Sequence, residues 1–260
     1  MKTALITGAS SGIGKELAIA HAKKEGNVIL VARSENKLNE LKTALEEEFG
    51  IDAFVIVKNL TKENAAKELF DEIDEHKLRI DYLFNNAGIG EMTLFSEAEL
   101  WRYQQMIELN ISSLTEMCFY FTHYIKTNNH KGKILNVAST AAFQPIPNMA
   151  VYAATKAYVL SLSQSLSVEL KKHGITVTVL CPGPTRTNFS QDSNVNESIE
   201  SLPIFASAKD VAEYGYKKML RGDEVAIPGV INQLGANSSR LIPRKVTSRI
   251  FGGIIGLGRK

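Results

Sequence analysis

Cysteine is scarce in this chain, and residue patterns that bind metals are missing. The 260 residues include two cysteines, Cys118 and Cys181, and both lie within apolar segments. Two such thiols do not form a disulfide framework, which favours a reducing compartment. The five histidines have none of the spacings typical of metal ligands. We therefore expect a cytoplasmic protein with no structural disulfide and no bound metal.

Long hydrophobic runs are missing as well. No apolar stretch approaches the ~20 residues of a membrane-spanning helix, and the apolar run near Met1 is too short for a signal peptide. Hydrophobic residues make up 44% and charged residues 22% of the chain, as in soluble globular domains. The length fits one large α/β domain better than two small ones.

Acidic residues are absent after Glu224, whereas six basic residues follow it. The net charge of +2 is too small to indicate nucleic-acid binding, but this asymmetry leaves about −4 on the rest of the chain. We therefore separate a main domain, 1–228, from a basic extension, 229–260. A helix that begins at Pro243 would be amphipathic. Its apolar stripe would contain Val246, Ile250, Ile254 and Leu257.

Three outcomes are open for this extension. Its apolar stripe can pack on the main domain or on a second subunit, its basic face can lie on an anionic membrane surface, or it can stay disordered. Its glycines weaken an isolated helix, which favours order only through packing. We expect packing or dimerisation, with peripheral membrane contact as the alternative.

Short apolar runs alternate with longer amphipathic stretches along the main domain. The strand-like runs are 4–6, 28–31, 53–57, 82–84, 134–137 and 177–180. The helical patterns include 37–49, 62–76, one long stretch at 97–126, and 150–173. Nearly continuous apolar strands are typical of a sheet that is buried on both faces. Their alternation with helices predicts a doubly wound parallel sheet in a single domain.

A glycine-rich turn follows the first predicted strand and opens a helix. Its spacing is G-x-x-x-G-x-G. Glycine permits the tight backbone that approaches a pyrophosphate, and the helix N-terminus offers free N–H groups to it. The alternative is a glycine-rich turn without a ligand. The expected dinucleotide contacts in this turn are Gly8, Ser10, Ser11, Gly12, Ile13 and Gly14.

A tyrosine and a lysine stand four residues apart at the start of a later helix. Tyr152 and Lys156 therefore project from one helical face. A cation close to a phenol favours the phenolate, so we expect Lys156 to lower the pKa of Tyr152 toward the range of a general acid–base catalyst. The alternative is an ordinary pair of surface side chains.

Further motifs occur in the same order as in a known family. Asn85-Asn86-Ala87-Gly88 follows the fourth predicted strand, Asn110 lies in an L-N-I context, and Ser139 precedes Tyr152 by thirteen residues. Pro182-Gly183-Pro184-Thr185-Arg186-Thr187 follows the sixth strand. With the glycine turn and the Tyr–Lys pair, residues 2–228 resemble the classical short-chain dehydrogenase/reductase family. The resemblance implies a Rossmann-type fold and hydride transfer with a nicotinamide dinucleotide.

The resemblance also assigns roles to residues. Tyr152 would exchange a proton with the substrate oxygen, Ser139 would polarise the carbonyl, and Lys156 would tune Tyr152 and bind the ribose. Asn110 would hold a water that links Lys156 to solvent. Further expected cofactor contacts are Asn59, Leu60, Asn86, Ala87, Gly88, Tyr152, Lys156, Pro182, Gly183, Thr185 and Thr187.

The end of the second strand indicates which dinucleotide is used. Members that prefer NAD usually place an acid there, whereas this chain has Arg33. Arginine can bind a 2′-phosphate through two hydrogen bonds, so we expect NADP(H), the alternative being a solvated charge. The family commonly has aspartate where this chain has Asn59. The tetrameric members of the family end soon after the seventh strand with a short segment near the cofactor, whereas this chain continues into the basic extension. We therefore expect a homodimer or larger oligomer and do not transfer the tetramer to this chain.

Apolar side chains dominate the segments that should enclose the substrate, 90–95, 140–151 and the loop at 185–205. Expected substrate contacts are Ser139, Phe143, Met149, Tyr152 and Phe189, with Met92, Phe95 and Ile146 as further wall residues. A small, mostly apolar ketone, aldehyde or secondary alcohol fits this wall. The rival interpretations are a reductase of 3-oxoacyl thioesters, a non-catalytic dinucleotide sensor, and a membrane-associated scaffold.

Overall fold

The computed structural model describes residues 1–187 and 205–238. Its main sheet has seven parallel strands in the order β3-β2-β1-β4-β5-β6-β9. Their bounds are β1 Thr3–Thr7, β2 Asn27–Ala32, β3 Ala53–Val57, β4 Tyr82–Asn85, β5 Gly132–Val137, β6 Ile175–Leu180 and β9 Val225–Ala226. This order confirms the predicted Rossmann-type, doubly wound parallel sheet.

Helices cover both faces of this sheet. They are α1 Gly12–Ala22, α2 Glu35–Phe49, α3 Ala65–Glu75, α4 Leu100–Ile107, α5 Leu114–Thr127, α6 Ala150–Glu169, α7 Ala208–Arg221 and α8 Val230–Ser238. One apolar core lies between the sheet and α3, α5 and α6, and another lies between the sheet and α1, α2 and α7. Because both faces are covered, the central strands are apolar at almost every position.

The long helical stretch predicted at 97–126 is interrupted. Between α4 and α5 the residues Glu108–Ser113 form a π-helical turn, so the helix runs from Leu100 to Thr127 with one widened turn in its middle. Such turns insert one extra residue into a helix and are frequent at functional sites. Here the widened turn carries Asn110, whose side chain is buried. Amphipathic periodicity predicted the helix but does not reveal this insertion.

The chain after β6 forms a small second sheet and the last strand of the main sheet. A small parallel sheet pairs β7, Thr185–Arg186, with β8, Ala206–Ser207, and α7 and β9 follow. The first part of the predicted extension, residues 229–238, contains α8, which packs near the 3₁₀ turn Thr140–Phe143. The rest of the extension and most of the predicted substrate loop lie outside the described residues. Within the ranges described, no helix is both long and apolar enough to cross a membrane.

Candidate active site

A large cavity opens at the carboxyl ends of the strands. Its volume is about 1600 Å³, and it passes over the junction of β1 and β4, where the strand order reverses. In open α/β sheets this crevice is where ligands bind. All the predicted cofactor contacts line it except Gly14. The predicted contacts, apart from Gly14, therefore lie together along one cleft.

The glycine turn between β1 and α1 requires its glycines for two different reasons. Gly8 and Gly12 have φ angles of 66° and 54°, a left-handed region that side chains disfavour. Gly14 instead lies where a Cβ atom would come within 2.3 Å of the Gly8 carbonyl oxygen. Gly14 thus lets the helix pack on the turn and does not itself face the cavity.

The motif after β4 fastens this turn to the sheet. Asn86 Nδ2 donates hydrogen bonds to the carbonyl oxygens of Thr7 and Gly8, at 3.1 and 3.2 Å. The Thr7 hydroxyl accepts from the N–H groups of Asn86 and Ala87, both at 3.0 Å. These bonds join the ends of β1 and β4, so the glycine turn has a rigid support.

The turn has the chemistry that a dinucleotide pyrophosphate requires. Ser11, the residue before α1, is extended, and its side chain does not cap the helix. The first N–H groups of α1 and the positive end of its dipole therefore remain available to an anion. Gly8 and Gly12 line the cavity without side chains, which lets the backbone approach a ligand closely. The residues present fit the cofactor.

Positive charges gather at the adenosine end of the cavity. Arg33, directly after β2, and Lys37, in the first turns of α2, both line it and are exposed. Lys58, after β3, also lines it, but Glu68 and Glu72 lie 3.4 and 3.6 Å from its ammonium. Among the described lining residues the single acid is Asp210, which belongs to α7.

Asn59 and Leu60 also lie at this end. The Asn59 side-chain oxygen accepts hydrogen bonds from the N–H and the hydroxyl of Thr61, at 3.2 and 2.9 Å. These bonds hold the amide oxygen in the turn after β3. The sequence led us to expect Arg33 at the cofactor but not Lys37. A second cation four residues after Arg33, in the first turns of α2, was a usable signal.

Tyr152, Ser139 and Lys156 meet on the wall of the same cavity. Tyr152 and Lys156 belong to the first turns of α6, and their exposed fractions are 8% and 4%. Ser139 caps the 3₁₀ turn after β5, where its hydroxyl accepts the Ala141 N–H at 3.1 Å. The Lys156 ammonium donates to the Val137 carbonyl at 2.9 Å.

Burial dominates the pKa of the Tyr152 phenol in this arrangement, and the lowering expected from Lys156 stays a prediction. Burial raises the pKa of the Tyr152 phenol to about 12, although a hydrogen bond with Ser139 acts in the opposite direction. The Lys156 ammonium lies 5.8 Å from the centroid of the phenol ring, and burial lowers the pKa of Lys156 to about 8. Sequence spacing places the two groups together but does not show how strongly the surrounding protein removes water from both.

Asn110 does not line the cavity but lies behind it. Its Nδ2 donates to the Ile89 carbonyl at 2.9 Å and to the Thr155 hydroxyl at 3.1 Å, and its Oδ1 accepts the Ile89 N–H at 3.0 Å. A Cβ atom at Gly88 would lie 3.2 Å from Asn110 Oδ1 and 3.3 Å from Lys156 Nζ. The missing side chain of Gly88 therefore leaves a gap between these two polar atoms.

The apolar wall matches the substrate prediction in part. Met92, Ile146 and Met149 line the cavity, as do Ser139 and Tyr152. Phe143 does not, because its side chain packs against the core and borders a separate cavity of about 300 Å³. Phe95 is 68% exposed and stacks on Tyr103 outside the cavity. Phe189 lies outside the described residues.

Several wall residues were not predicted from the sequence. They are Gln105, Leu109, Tyr214 and Ile231. Tyr214 and Ile231 come from α7 and α8, far along the chain from every motif, and no sequence signal marks them.

In the described ranges no cluster of three or more potential metal ligands occurs.

Comparison with known proteins finds similarity along most of the chain. The family model for short chain dehydrogenase matches residues 2–198. A 3beta-hydroxysteroid dehydrogenase of Mediterraneibacter gnavus is 33% identical over 222 residues, which are 85% of this chain and 79% of that protein.

Solved structures are similar over nearly the whole chain. A short-chain dehydrogenase of Sphingobium yanoikuyae in complex with NADPH is 30% identical, with a TM-score of 0.83 and coverage of 93% of this chain and 94% of that one. A bulky-bulky ketone specific alcohol dehydrogenase of Comamonas testosteroni is also 30% identical, with a TM-score of 0.79 and coverage of 93% and 92%.

Proposed function

The chain belongs to the short-chain dehydrogenase family, and on that premise we propose that it is an NADPH-dependent reductase of bulky, mostly apolar ketones. It is an oxidoreductase that interconverts hydroxyl and keto groups with a nicotinamide dinucleotide. The preference for NADPH and the apolar substrate are the proposed parts. Reduction and alcohol oxidation use the same groups in opposite directions, so the proposal covers both.

One observation carries the proposal. Tyr152, Ser139 and Lys156 line one continuous cavity together with the glycine turn and with Met92, Ile146 and Met149. A group that can donate a proton therefore shares a cavity with a dinucleotide cradle and with apolar side chains. This placement is what proton transfer to an apolar carbonyl compound requires.

The residues would act as follows. When bound, the dinucleotide supplies the hydride. The Tyr152 phenol would donate its proton to the substrate oxygen, and the Ser139 hydroxyl would donate a hydrogen bond to the same oxygen. The Lys156 ammonium, held by the Val137 carbonyl, would bind the ribose and compensate the charge that develops on Tyr152. Asn110 would support the return of a proton toward Lys156.

The buried phenol favours reduction at neutral pH. A pKa of Tyr152 raised by burial to about 12 keeps the phenol protonated and able to donate. Oxidation of an alcohol requires the phenolate, whose population rises with pH. Alcohol oxidation should therefore accelerate as the pH rises from 7 to 10, whereas ketone reduction should not.

Charge at the adenosine end supports NADPH. Arg33 and Lys37 line the cavity where the ribose 2′ position of the adenosine would lie, and the single described acid of the lining, Asp210, is on another helix. Arginine binds phosphate through two charge-assisted hydrogen bonds, and a carboxylate that would repel the 2′-phosphate is missing from this end. The similar enzyme of Sphingobium yanoikuyae was solved in complex with NADPH.

The size and polarity of the wall support a bulky apolar ketone. A cavity of about 1600 Å³ has room for a large ring system in addition to a dinucleotide. Two similar proteins act on such compounds according to their names, a 3beta-hydroxysteroid dehydrogenase and an alcohol dehydrogenase specific for bulky-bulky ketones. We transfer only the bulk and the apolar character of their substrates to this chain.

The test measures NADPH oxidation at 340 nm with three substrate types: a bulky alicyclic ketone, a short 2-oxo acid, and a 3-oxoacyl thioester. We expect turnover of the bulky ketone at a kcat/KM at least about tenfold above that of the 2-oxo acid, because a charged group is poorly solvated by this wall. Preferred turnover of the thioester would identify a 3-oxoacyl reductase instead. NADPH binding without turnover of any compound would favour a dinucleotide sensor.

A further inference from the structure

Helix α6 carries a buried threonine directly before Lys156. Thr155 is 1% exposed. Its hydroxyl donates to the Tyr152 carbonyl at 2.8 Å and accepts a hydrogen bond from Asn110 Nδ2 at 3.1 Å. A single hydroxyl therefore connects the helix of Tyr152 and Lys156 with the π-helical turn that holds Asn110.

The Asn110 amide has one orientation that satisfies all these bonds. The two hydrogens of Nδ2 go to the Ile89 carbonyl and to Thr155, and Oδ1 accepts the Ile89 N–H. Rotating the amide by 180° would place Oδ1 against the Ile89 carbonyl, two acceptors that cannot bond. Ile89 and Thr155 together therefore select the orientation.

This orientation determines what faces Lys156. An amide oxygen can accept two hydrogen bonds, and Ile89 uses one of them on Asn110 Oδ1. The gap at Gly88 lies between this oxygen and Lys156 Nζ, which are at most about 6.5 Å apart given their distances to the Gly88 Cβ position. One water molecule can bridge two polar atoms up to about 5.6 Å apart, because each of its hydrogen bonds spans about 2.8 Å, and the gap at Gly88 allows a separation within that limit.

We propose that Thr155 is a positioning residue, which holds the Asn110 amide so that Oδ1 faces the gap at Gly88 and supports proton return to Lys156. The inference rests on the role proposed for Asn110. It concerns a hydroxyl that touches neither the cavity nor any reacting atom, since Thr155 is buried behind the lining. Without this hydroxyl one N–H of Asn110 loses its buried acceptor, and only the two bonds to Ile89 hold the amide in place.

The helix supplies a matched control two turns further on. The Ser163 hydroxyl also donates to a carbonyl of its own helix, that of Val159 at 2.6 Å. It also accepts from a buried asparagine of another element, Asn136 Nδ2 at 2.9 Å. Ser163 is 1% exposed and lies outside the cavity lining. Its removal repeats the loss of a buried hydroxyl without touching Asn110.

The experiment compares T155V, T155S and S163A in the full chain, with a bulky ketone and NADPH. We expect T155V to lower kcat about ten- to a hundredfold, with KM values within about twofold, because misplaced groups impair the reaction more than binding. T155S should restore most of kcat, and S163A should keep it. In an N110A background T155V should cause no further loss, since both changes interrupt the same path.

A readout without turnover keeps the inference separate from the proposed function. The Ile89 N–H bonds to Asn110 Oδ1, so T155V should accelerate its hydrogen exchange, whereas T155S and S163A should not. If no ketone is reduced by the unmodified protein, the proposed function fails, and this exchange rate alone decides the inference. Unchanged Ile89 exchange in T155V, kcat within twofold of the unmodified enzyme, or equal kcat losses in T155V and S163A would each overturn it.

Discussion

At the scale of residues, the protonation of Tyr152 depends on burial more than on its neighbour. Burial raises its pKa to about 12, whereas it lowers that of Lys156 to about 8. Both shifts disfavour the charged form, as expected when water is removed from an ionisable group. The Tyr152 phenol is therefore protonated at neutral pH in this structure.

Replacing Tyr152 by phenylalanine tests the proton donor. We expect kcat for ketone reduction to fall about a thousandfold or more, because the ring is kept and the transferable proton is lost. The Kd for NADPH, measured by fluorescence titration, should change less than about threefold. The matched control is Y158F on the same helix, where the lost hydroxyl bonds to Thr115 at the surface. Retention of more than a few per cent of kcat in Y152F would refute the assignment.

Replacing Gly88 by alanine tests the gap between Asn110 and Lys156. The new methyl group would lie 3.2 and 3.3 Å from their polar atoms, closer than most carbon contacts. We expect kcat to fall about tenfold or more, since the methyl group displaces a bridging water and shifts the ammonium. The midpoint of thermal unfolding should change by a few degrees at most. Wild-type kcat in G88A would show that the gap has no catalytic use.

At the scale of elements, α1 and α7 pack together around a buried histidine. His21, near the end of α1, lies 2.9 Å from the Lys2 carbonyl through Nε2 and 3.0 Å from the Tyr216 hydroxyl through Nδ1. The carbonyl accepts, so Nε2 carries the proton and Nδ1 accepts from Tyr216. Gly26 makes room for this ring, because a Cβ atom there would lie 2.2 Å from it.

This packing predicts a loss of stability in mild acid. Burial lowers the pKa of His21 below 6.5, although its bond to the Lys2 carbonyl acts in the opposite direction. Below pH 6.5 the unfolded chain therefore takes up a proton that the folded state does not, and the free energy of unfolding falls by up to about 1.4 kcal/mol per pH unit. The effect is complete once the pH drops below the folded-state pKa.

Urea unfolding between pH 7.5 and 5 measures this dependence. H21Q should flatten the slope below pH 6.5, whereas H123Q, which changes an exposed histidine on α5, should keep it. Equal slopes in the two variants would assign the acid sensitivity to other groups.

At the scale of the whole molecule, a bound cofactor should stabilise the fold, and the gain in the free energy of unfolding should be larger for the cofactor that binds more tightly. A ligand that binds only the folded state adds RT ln(1 + [L]/Kd), so a tenfold tighter ligand adds about 1.4 kcal/mol at equal saturating concentration. We expect the unfolding midpoint to rise more with NADPH than with NADH. R33D should reduce or reverse the difference, since it replaces a group that donates hydrogen bonds to the 2′-phosphate by a carboxylate that repels it. Equal shifts with both dinucleotides would contradict the NADPH preference.

The basic extension, most of which lies outside the described residues, remains a prediction from the sequence. Truncation after Ser239 should reduce the oligomer size in size-exclusion chromatography if the extension packs on a second subunit. Loss of co-sedimentation with anionic vesicles would instead support membrane contact. Unchanged size, activity and vesicle binding would show that the extension serves neither purpose.

The sequence by itself determined the sheet and the cofactor cradle, for a physical reason. Strands buried on both faces must be apolar at nearly every position, and a turn that approaches a pyrophosphate must contain glycine. Both requirements act on neighbouring residues, so they are visible in the order of the letters. Such local rules point to Gly8 and Gly12, whereas Asn86 was expected from the family resemblance, and all three line the same cavity.

Only the tertiary structure decided which groups of the site are buried and which side chains line the cavity. The pKa of Tyr152 depends on how completely distant segments exclude water, which the spacing of residues does not show. The extra residue of the π-helical turn, which carries Asn110, does not change the amphipathic pattern. Phe143 and Ile146 are equally apolar in the sequence, but the 3₁₀ turn directs Phe143 toward the core and away from the cavity. Burial and direction arise from packing between segments far apart in the chain, which no local pattern records.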